Sequence, residues 1–100
     1  MSTNKTIIII PSYNEAENIP ALLSKLFELY PEVSVLVVDD NSPDDTAGTV
    51  RETQIRFANL HLLERASNHC FGRSYVDGIN KILNDSRYDF VVMMDADFSH

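Results

Sequence analysis

Thr6-Ile7-Ile8-Ile9-Ile10-Pro11-Ser12-Tyr13-Asn14-Glu15 opens on an unbroken β-branched run and turns polar at a proline. A strand with water on one face alternates apolar and polar residues, so a continuous run of isoleucines describes a strand buried on both faces, closed here by Pro11. Such strands belong to parallel sheets covered by helices. Ile19, Leu22, Leu23, Leu26 and Phe27 then recur at helical spacing, with Asn18 placed as an N-cap and Pro20 in the first turn, where its missing N–H costs little. That helix is expected to end before Pro31. Val33 to Val38 repeats the buried-strand signature, Asp39 to Asp45 reads as loop, and Thr46 to about Phe57 reads as a polar helix, weakly amphipathic through Ala47 and Val50. Leu60 to Leu63 forms a short third strand, Tyr75, Ile79, Ile82 and Leu83 mark a helix starting near Gly72 or Arg73, and Phe90 to Met94 is a fourth strand.

Strand and helix alternate with connections too long for hairpins, which predicts an α/β fold with a Rossmann-like parallel sheet and right-handed crossovers. The first strand is expected at the centre, with the fourth returning beside it. In such a sheet the carboxyl ends of the strands share one edge, where ligands bind. Polar clusters follow each strand: residues 11–15 after the first, 39–44 after the second, 68–73 after the third, and Asp95-Ala96-Asp97 after the fourth. All four are expected to converge on one crevice.

With 100 residues, 44% hydrophobic and 23% charged, the chain suffices for one small core and no second domain. Its apolar runs fall far short of the ~20 residues that cross a bilayer, and the start of the chain lacks the pattern of a signal peptide. The single cysteine, Cys70, cannot form an internal disulfide, so a cytoplasmic setting is expected. A formal net charge of −7 argues against nucleic acid as a partner. A small phosphate ligand remains compatible with that charge if a divalent cation or a helix N-terminus offsets it.

Asp95 and Asp97 can both offer hard oxygen ligands to Mg²⁺ or Mn²⁺ if the turn brings their side chains to one side; an isolated Asp-x-Asp is more often simple turn chemistry, but the position after a buried strand reverses that weighting. Of Asp39 and Asp40, which alternate in direction if the strand persists, one faces the crevice and can accept from a ribose hydroxyl or base N–H, while the other supports the loop; the alternative is turn chemistry around Asn41-Ser42-Pro43-Asp44. Tyr13 can stack on a base and Glu15 can accept its N–H groups, unless the two serve as a core aromatic and a helix-dipole partner. Cys70 reads as a packing residue, and His61 and His100 are assigned no metal.

Taken together, residues 7–15, Val37-Val38-Asp39-Asp40-Asn41-Ser42-Pro43-Asp44 and Met94-Asp95-Ala96-Asp97-Phe98-Ser99-His100 resemble the family 2 glycosyltransferases of GT-A fold, and within them the dolichol- or polyprenol-phosphate mannosyltransferases. The resemblance implies that Pro11, Tyr13, Glu15, Val38 and Asp40 line a nucleotide-sugar pocket. It implies that Asp95, Ala96 and Asp97 meet the diphosphate and its Mg²⁺ or Mn²⁺, with Asp95 and Asp97 as catalytic metal ligands, Asp97 the more direct, and Ser99 nearby. The implied reaction moves a hexose, mannose in this subgroup, from a nucleoside-diphosphate sugar to a polyprenyl or dolichyl phosphate with inversion.

Family members commonly carry Asp-Gly after Ser-Pro, whereas Asp44-Asp45 stands here, so a turn that needs positive φ is expected to be strained or reshaped. The loop after the third strand reads Asn68-His69-Cys70-Phe71-Gly72 in place of a lysine with a glycine-rich stretch. Residues 1–100 are thus expected to be the nucleotide-sugar-binding N-terminal portion of a glycosyltransferase domain, truncated after Asp-Ala-Asp, with the lipid-phosphate acceptor bound by a further C-terminal part at the cytoplasmic face of a membrane. An exposed sheet edge left by truncation is expected to promote self-association. Two alternatives compete: a noncatalytic nucleotide-binding fragment, and a phospho-acceptor receiver domain, whose acidic pair ends the first strand rather than the second.

Overall fold

The computed structural model describes residues 5–12, 15–39, 43–64, 80 and 88–94. Among these, six elements follow in order: β1 (Thr6–Ser12), α1 (Ile19–Leu29), β2 (Ser34–Asp39), α2 (Thr46–Gln54), β3 (Leu60–Glu64) and β4 (Phe90–Met93). The strands form one parallel sheet of order β3-β2-β1-β4, with β1 inside and β4 beside it, as the alternation predicts. A receiver of flavodoxin-like order 2-1-3-4-5 places its third strand beside the first. Here β3 lies beyond β2, which removes the receiver reading. The helix expected near residue 72 lies outside the described residues.

β1 runs through Pro11 to Ser12 instead of stopping at Ile10. The reason is directional. In a parallel ladder alternate residues of a central strand bond to opposite neighbours. Ile9 accepts the Met94 N–H at 3.0 Å on the β4 side, so the position two residues on, Pro11, also faces β4. Its missing N–H therefore falls toward β4, while pairing with β2 continues through Pro11↔Val38 and Ser12↔Asp39.

Both faces of the sheet are apolar. Ile8, Ile10, Val35, Val37 and Leu60 meet Ile19, Leu22, Leu23, Leu26 and Phe27 of α1 and Val50 of α2, whereas Ile7, Ile9, Leu36 and Val38 pack on the opposite face with Leu63 and Tyr88. Burial on two sides is what the unbroken β-branched runs encode, each such side chain contributing roughly 1.5–3 kcal/mol.

Asn18 occupies the N-cap of α1 and Pro20 its first turn, but the asparagine side chain makes no cap bond. Its Nδ2 donates to Glu15 Oε2 at 3.0 Å, and the Asn18 and Ile19 N–H groups already donate to the Glu15 carbonyl at 3.1 and 2.9 Å, so the chain is coiling before the helix proper. α2 is shorter than its sequence suggests. It ends at Gln54, after which the Ile55 and Arg56 N–H groups turn back tightly to Glu52 and Thr53, and Phe57 stacks on Phe27 with ring centroids 4.6 Å apart.

Asp45, the N-cap of α2, sits at φ 60°, ψ 40°, in the left-handed region. The strain anticipated at Asp44-Asp45 is thus present, and Asp45 accepts the Gly48 N–H at 3.3 Å in partial compensation. A Cβ at Gly48 would overlap that carboxylate, so the glycine leaves it room.

The two sheet edges differ. At β3 the edge is tied to α2 by Arg51–Glu64 at 2.6 Å and by Gln54 Nε2 donating to the Leu60 carbonyl at 3.0 Å. At β4 all of Phe90, Val91, Val92 and Met93 are exposed, by 42–58%. Val92 and Met94 also line an apolar cleft of about 280 Å³ with Ile8, Leu26, Tyr30 and Val33.

The left-handed cap generates a stability prediction. Asp45→Gly relieves the backbone and loses only a weak cap, so it should be neutral or stabilising by up to about 1 kcal/mol; Asp45→Ala keeps the strained Cβ and loses the cap, and should cost about 1–2 kcal/mol. Urea denaturation of both variants checks this, and equal stabilities would contradict the left-handed assignment.

Candidate functional site

β1 and β2 end level with one another at the carboxyl edge of the sheet. Ser12 and Asp39, the last residues of the two strands, are register partners and both buried, and Ser12 Oγ donates to Asp39 Oδ1 at 3.4 Å. Asp39, the first of the two acidic residues that follow Val38, is thus turned into the protein. One step inward, Pro11 lies opposite Val38, whose side chain is fully buried against Ile7, Ile9 and Leu36. Val38 accordingly has no side-chain surface left for solvent, and any contribution to a pocket comes from its main chain.

A second layer of bonds joins the segments beyond the strands. Asp44 Oδ1 accepts from the Thr46 N–H at 3.1 Å and from the Thr46 hydroxyl, an arrangement natural to an aspartate two residues before a helix start. Its other oxygen, Oδ2, reaches across to accept the Ala16 N–H at 3.1 Å. Thr46 Oγ1, fully buried, accepts the Glu15 N–H at 3.1 Å. The Glu15 and Ala16 N–H groups precede α1 and are satisfied from the start of α2, so two amides of one loop are bound by two side chains of the other.

Desolvation pushes the Asp44 pKa up, but the Thr46 hydroxyl, the Ala16 N–H and the Thr46 N–H outweigh it and hold the carboxyl below its ordinary value. A carboxyl lowered on folding stabilises the fold above its unfolded pKa, and the contribution disappears as pH falls through the folded one. The tie is thus present at neutral pH. Glu15 is half-buried, and its carboxylate is engaged by Asn18 Nδ2 at 3.0 Å.

The fourth strand supplies the third side of the edge. β4 runs parallel to β1 toward the same edge, and its last described bond, from the Met94 N–H to the Ile9 carbonyl, lies three residues before the end of β1. Asp95, Ala96, Asp97 and Ser99, like Tyr13 and Asp40, lie outside the described residues. Of the expected pocket residues, the structure thus describes Pro11 and Val38 as cross-strand partners and Glu15 on the adjoining loop.

Ser12, Asp44 and Thr46 were not singled out by the sequence as residues that organise this edge. Asp44-Asp45-Thr46 carried one usable signal, an aspartate two positions before a helix-starting threonine. Nothing local in the sequence shows that the same side chains cross to Glu15 and Ala16, 28 to 31 residues away. Among the described residues no three metal-ligating side chains gather, and no helix is long and apolar enough to cross a membrane.

Known proteins share this framework. The chain is 38% identical over 99 residues to a polyprenol monophosphomannose synthase of Mycolicibacterium smegmatis, a match covering 98% of this chain and 37% of the relative. It is 40% identical over 96 residues to an undecaprenyl-phosphate mannosyltransferase of Micrococcus luteus, covering 96% of this chain and 39% of the relative. The chain therefore spans about two fifths of the length of these curated relatives. Among solved structures, a mannosyltransferase of Pyrobaculum calidifontis in complex with GDP-Man and Mn²⁺ superposes with a TM-score of 0.76 at 30% identity, covering 93% of this chain and 27% of that one. A mannosyl-3-phosphoglycerate synthase of Rubrobacter xylanophilus shares the fold, with a TM-score of 0.64 at 24% identity over 93% of this chain and 31% of that one. The family model described as glycosyl transferase family 2 matches residues 7–100, and the chain belongs to that family.

Proposed function

We propose that residues 1–100 are the donor-binding N-terminal portion of a glycosyltransferase domain that moves a hexose, mannose by analogy with its relatives, from a nucleoside-diphosphate sugar to a polyprenyl or dolichyl phosphate. The observation that carries this reading is the sheet order, which brings the ends of β1, β2 and β4 to one edge with β1 and β4 flanking the point where the chain reverses its direction of travel across the sheet. Open α/β sheets bind nucleotides at that point. The polyprenol- and undecaprenyl-phosphate mannosyltransferase relatives suggest the sugar and the lipid phosphate, and the Pyrobaculum protein, in complex with GDP-Man, suggests GDP as the nucleotide.

In this reading Pro11, Tyr13, Glu15, Val38 and Asp40 form the nucleotide pocket, and Asp95, Ala96 and Asp97 meet the diphosphate. The donor set fits a divalent cation, since Asp95 and Asp97 are hard oxygen ligands placed directly after a strand that ends at the binding edge. Mg²⁺ or Mn²⁺ held there would offset the charge that develops on the departing nucleoside diphosphate. An oxygen of the acceptor phosphate forms a bond to the anomeric carbon from the face opposite the leaving nucleoside diphosphate. The bond from that carbon to the diphosphate oxygen breaks, its electron pair leaving with the nucleotide, and the configuration inverts. The acceptor phosphate is already ionised, so no protein group has to remove a proton. A lipid-borne acceptor implies a reaction at a membrane surface, which we read as its cytoplasmic face.

The exposed, uncharged edge of β4 is also read as a contact surface, because unpaired strand edges without charge or proline template further pairing. At high concentration the 100-residue chain should associate, and Val92→Lys should return it to monomer; light scattering showing a monodisperse monomer for the unsubstituted chain would contradict this.

Metal and nucleotide should bind cooperatively. Titration calorimetry should show GDP binding at least about fivefold tighter with Mn²⁺ than without, and Asp97→Asn should abolish most of that difference while leaving the melting temperature within a few degrees. Equal GDP affinity in all four combinations would overturn the metal assignment.

A further inference from the structure

We propose that Asp44 and Thr46 are positioning residues, clamping the loop after β1 to the loop after β2 so that the donor pocket is held ready before the nucleotide arrives. The proposal rests on reading the carboxyl edge as the donor site and names residues that the reading itself does not use. Its basis is a double frame. On the sheet side, Ser12 is fixed to Asp39 by strand register and a buried side-chain bond. On the far side, Glu15 and Ala16 are fixed to Thr46 and Asp44 through two main-chain amides. The end of β1 is therefore joined to the end of β2, and the residues that lead into α1 are joined to those that lead into α2.

The bonds suit this task because they run from side chains of one loop to amides of the other. Asp44 bridges the two loops with separate oxygens, Oδ1 held by Thr46 and Oδ2 by Ala16, so its orientation is fixed from both sides. Thr46 Oγ1 donates to Asp44 and accepts from Glu15, so a single hydroxyl completes the chain of contacts. No buried side-chain polar atom among the described residues lacks a partner, which leaves this network fully satisfied. A pre-ordered loop pair avoids the conformational entropy that a loose pair would lose on binding.

The test is GDP affinity in the presence of Mn²⁺, measured by titration calorimetry well below the melting transition. Thr46→Val, nearly isosteric, removes the hydroxyl and should weaken GDP about tenfold, the scale of one lost buried hydrogen bond, while Thr46→Ser should restore the affinity of the unsubstituted protein. Asp44→Asn keeps an oxygen for Thr46 but cannot both do so and accept from Ala16; it provides the same test at an exposed position should Thr46→Val fail to fold. In each variant the Glu15 and Ala16 amides should exchange with solvent faster than in the unsubstituted protein. GDP affinity unchanged in the folded variants, or Thr46→Ser as weak as Thr46→Val, would overturn the clamp while leaving the donor site standing. No GDP binding by the unsubstituted protein would overturn the donor-site reading and the clamp with it.

Discussion

Pro11 stands on the central strand and has no N–H to give in the direction of β4. That one missing donor shapes the rest of the edge. Pairing between β1 and β2 runs on through Ser12 and Asp39, whereas the last described bond between β1 and β4 is the one from Met94 to Ile9. The missing donor thus falls on the β4 side of β1, where the strand order turns, while the pairing with β2 runs unbroken to the carboxyl ends of both strands. Open α/β sheets bind ligands where the strand order turns, so the topology points to this edge before any side chain is assigned a role in binding.

Stability and function draw on different parts of the molecule. The apolar residues on both sheet faces, with α1 and α2 over one of them, supply the burial that holds the sheet together. The polar groups at the carboxyl edge add little to that sum, since hydrogen bonds exchange water for protein partners at a small net gain. What Ser12, Asp39, Asp44 and Thr46 contribute is geometry, fixing two loops against each other on a base too rigid to follow them. The left-handed Asp45 belongs to the same economy, being a strained residue that directs the chain into α2 one position after Asp44.

Much of the fold could be read from periodicity. The runs at residues 6–10 and 33–38 identify doubly buried strands because Ile7 to Ile10 and Val35 to Val38 are unbroken apolar stretches, and α1 is marked by five apolar residues at helical spacing. Reading failed where direction or distance mattered. Pro11 looks like a strand terminator until the side its N–H would have faced is known, and Asn18 looks like a side-chain cap until Glu15 is seen to begin the coil. Phe57 looks like the end of α2 by continuity, but the helix ends at Gln54 and Phe57 stacks on Phe27 from the turn that follows. Family resemblance pointed to Pro11, Glu15 and Val38 at the edge, but the ties from Asp44 and Thr46 join residues about 30 apart, and no local pattern encodes such a contact.

That nucleotide and metal meet at the carboxyl edge between β1, β2 and β4 is most directly tested by paramagnetic broadening of backbone amide resonances on adding Mn²⁺ with GDP. The account predicts that the amides of Ser12, Glu15, Asp39, Thr46 and Met94 are broadened, and that those of Lys5, Ser34 and Leu60 at the opposite edge stay sharp. Broadening centred on the opposite edge, or spread evenly over the sheet, would contradict it.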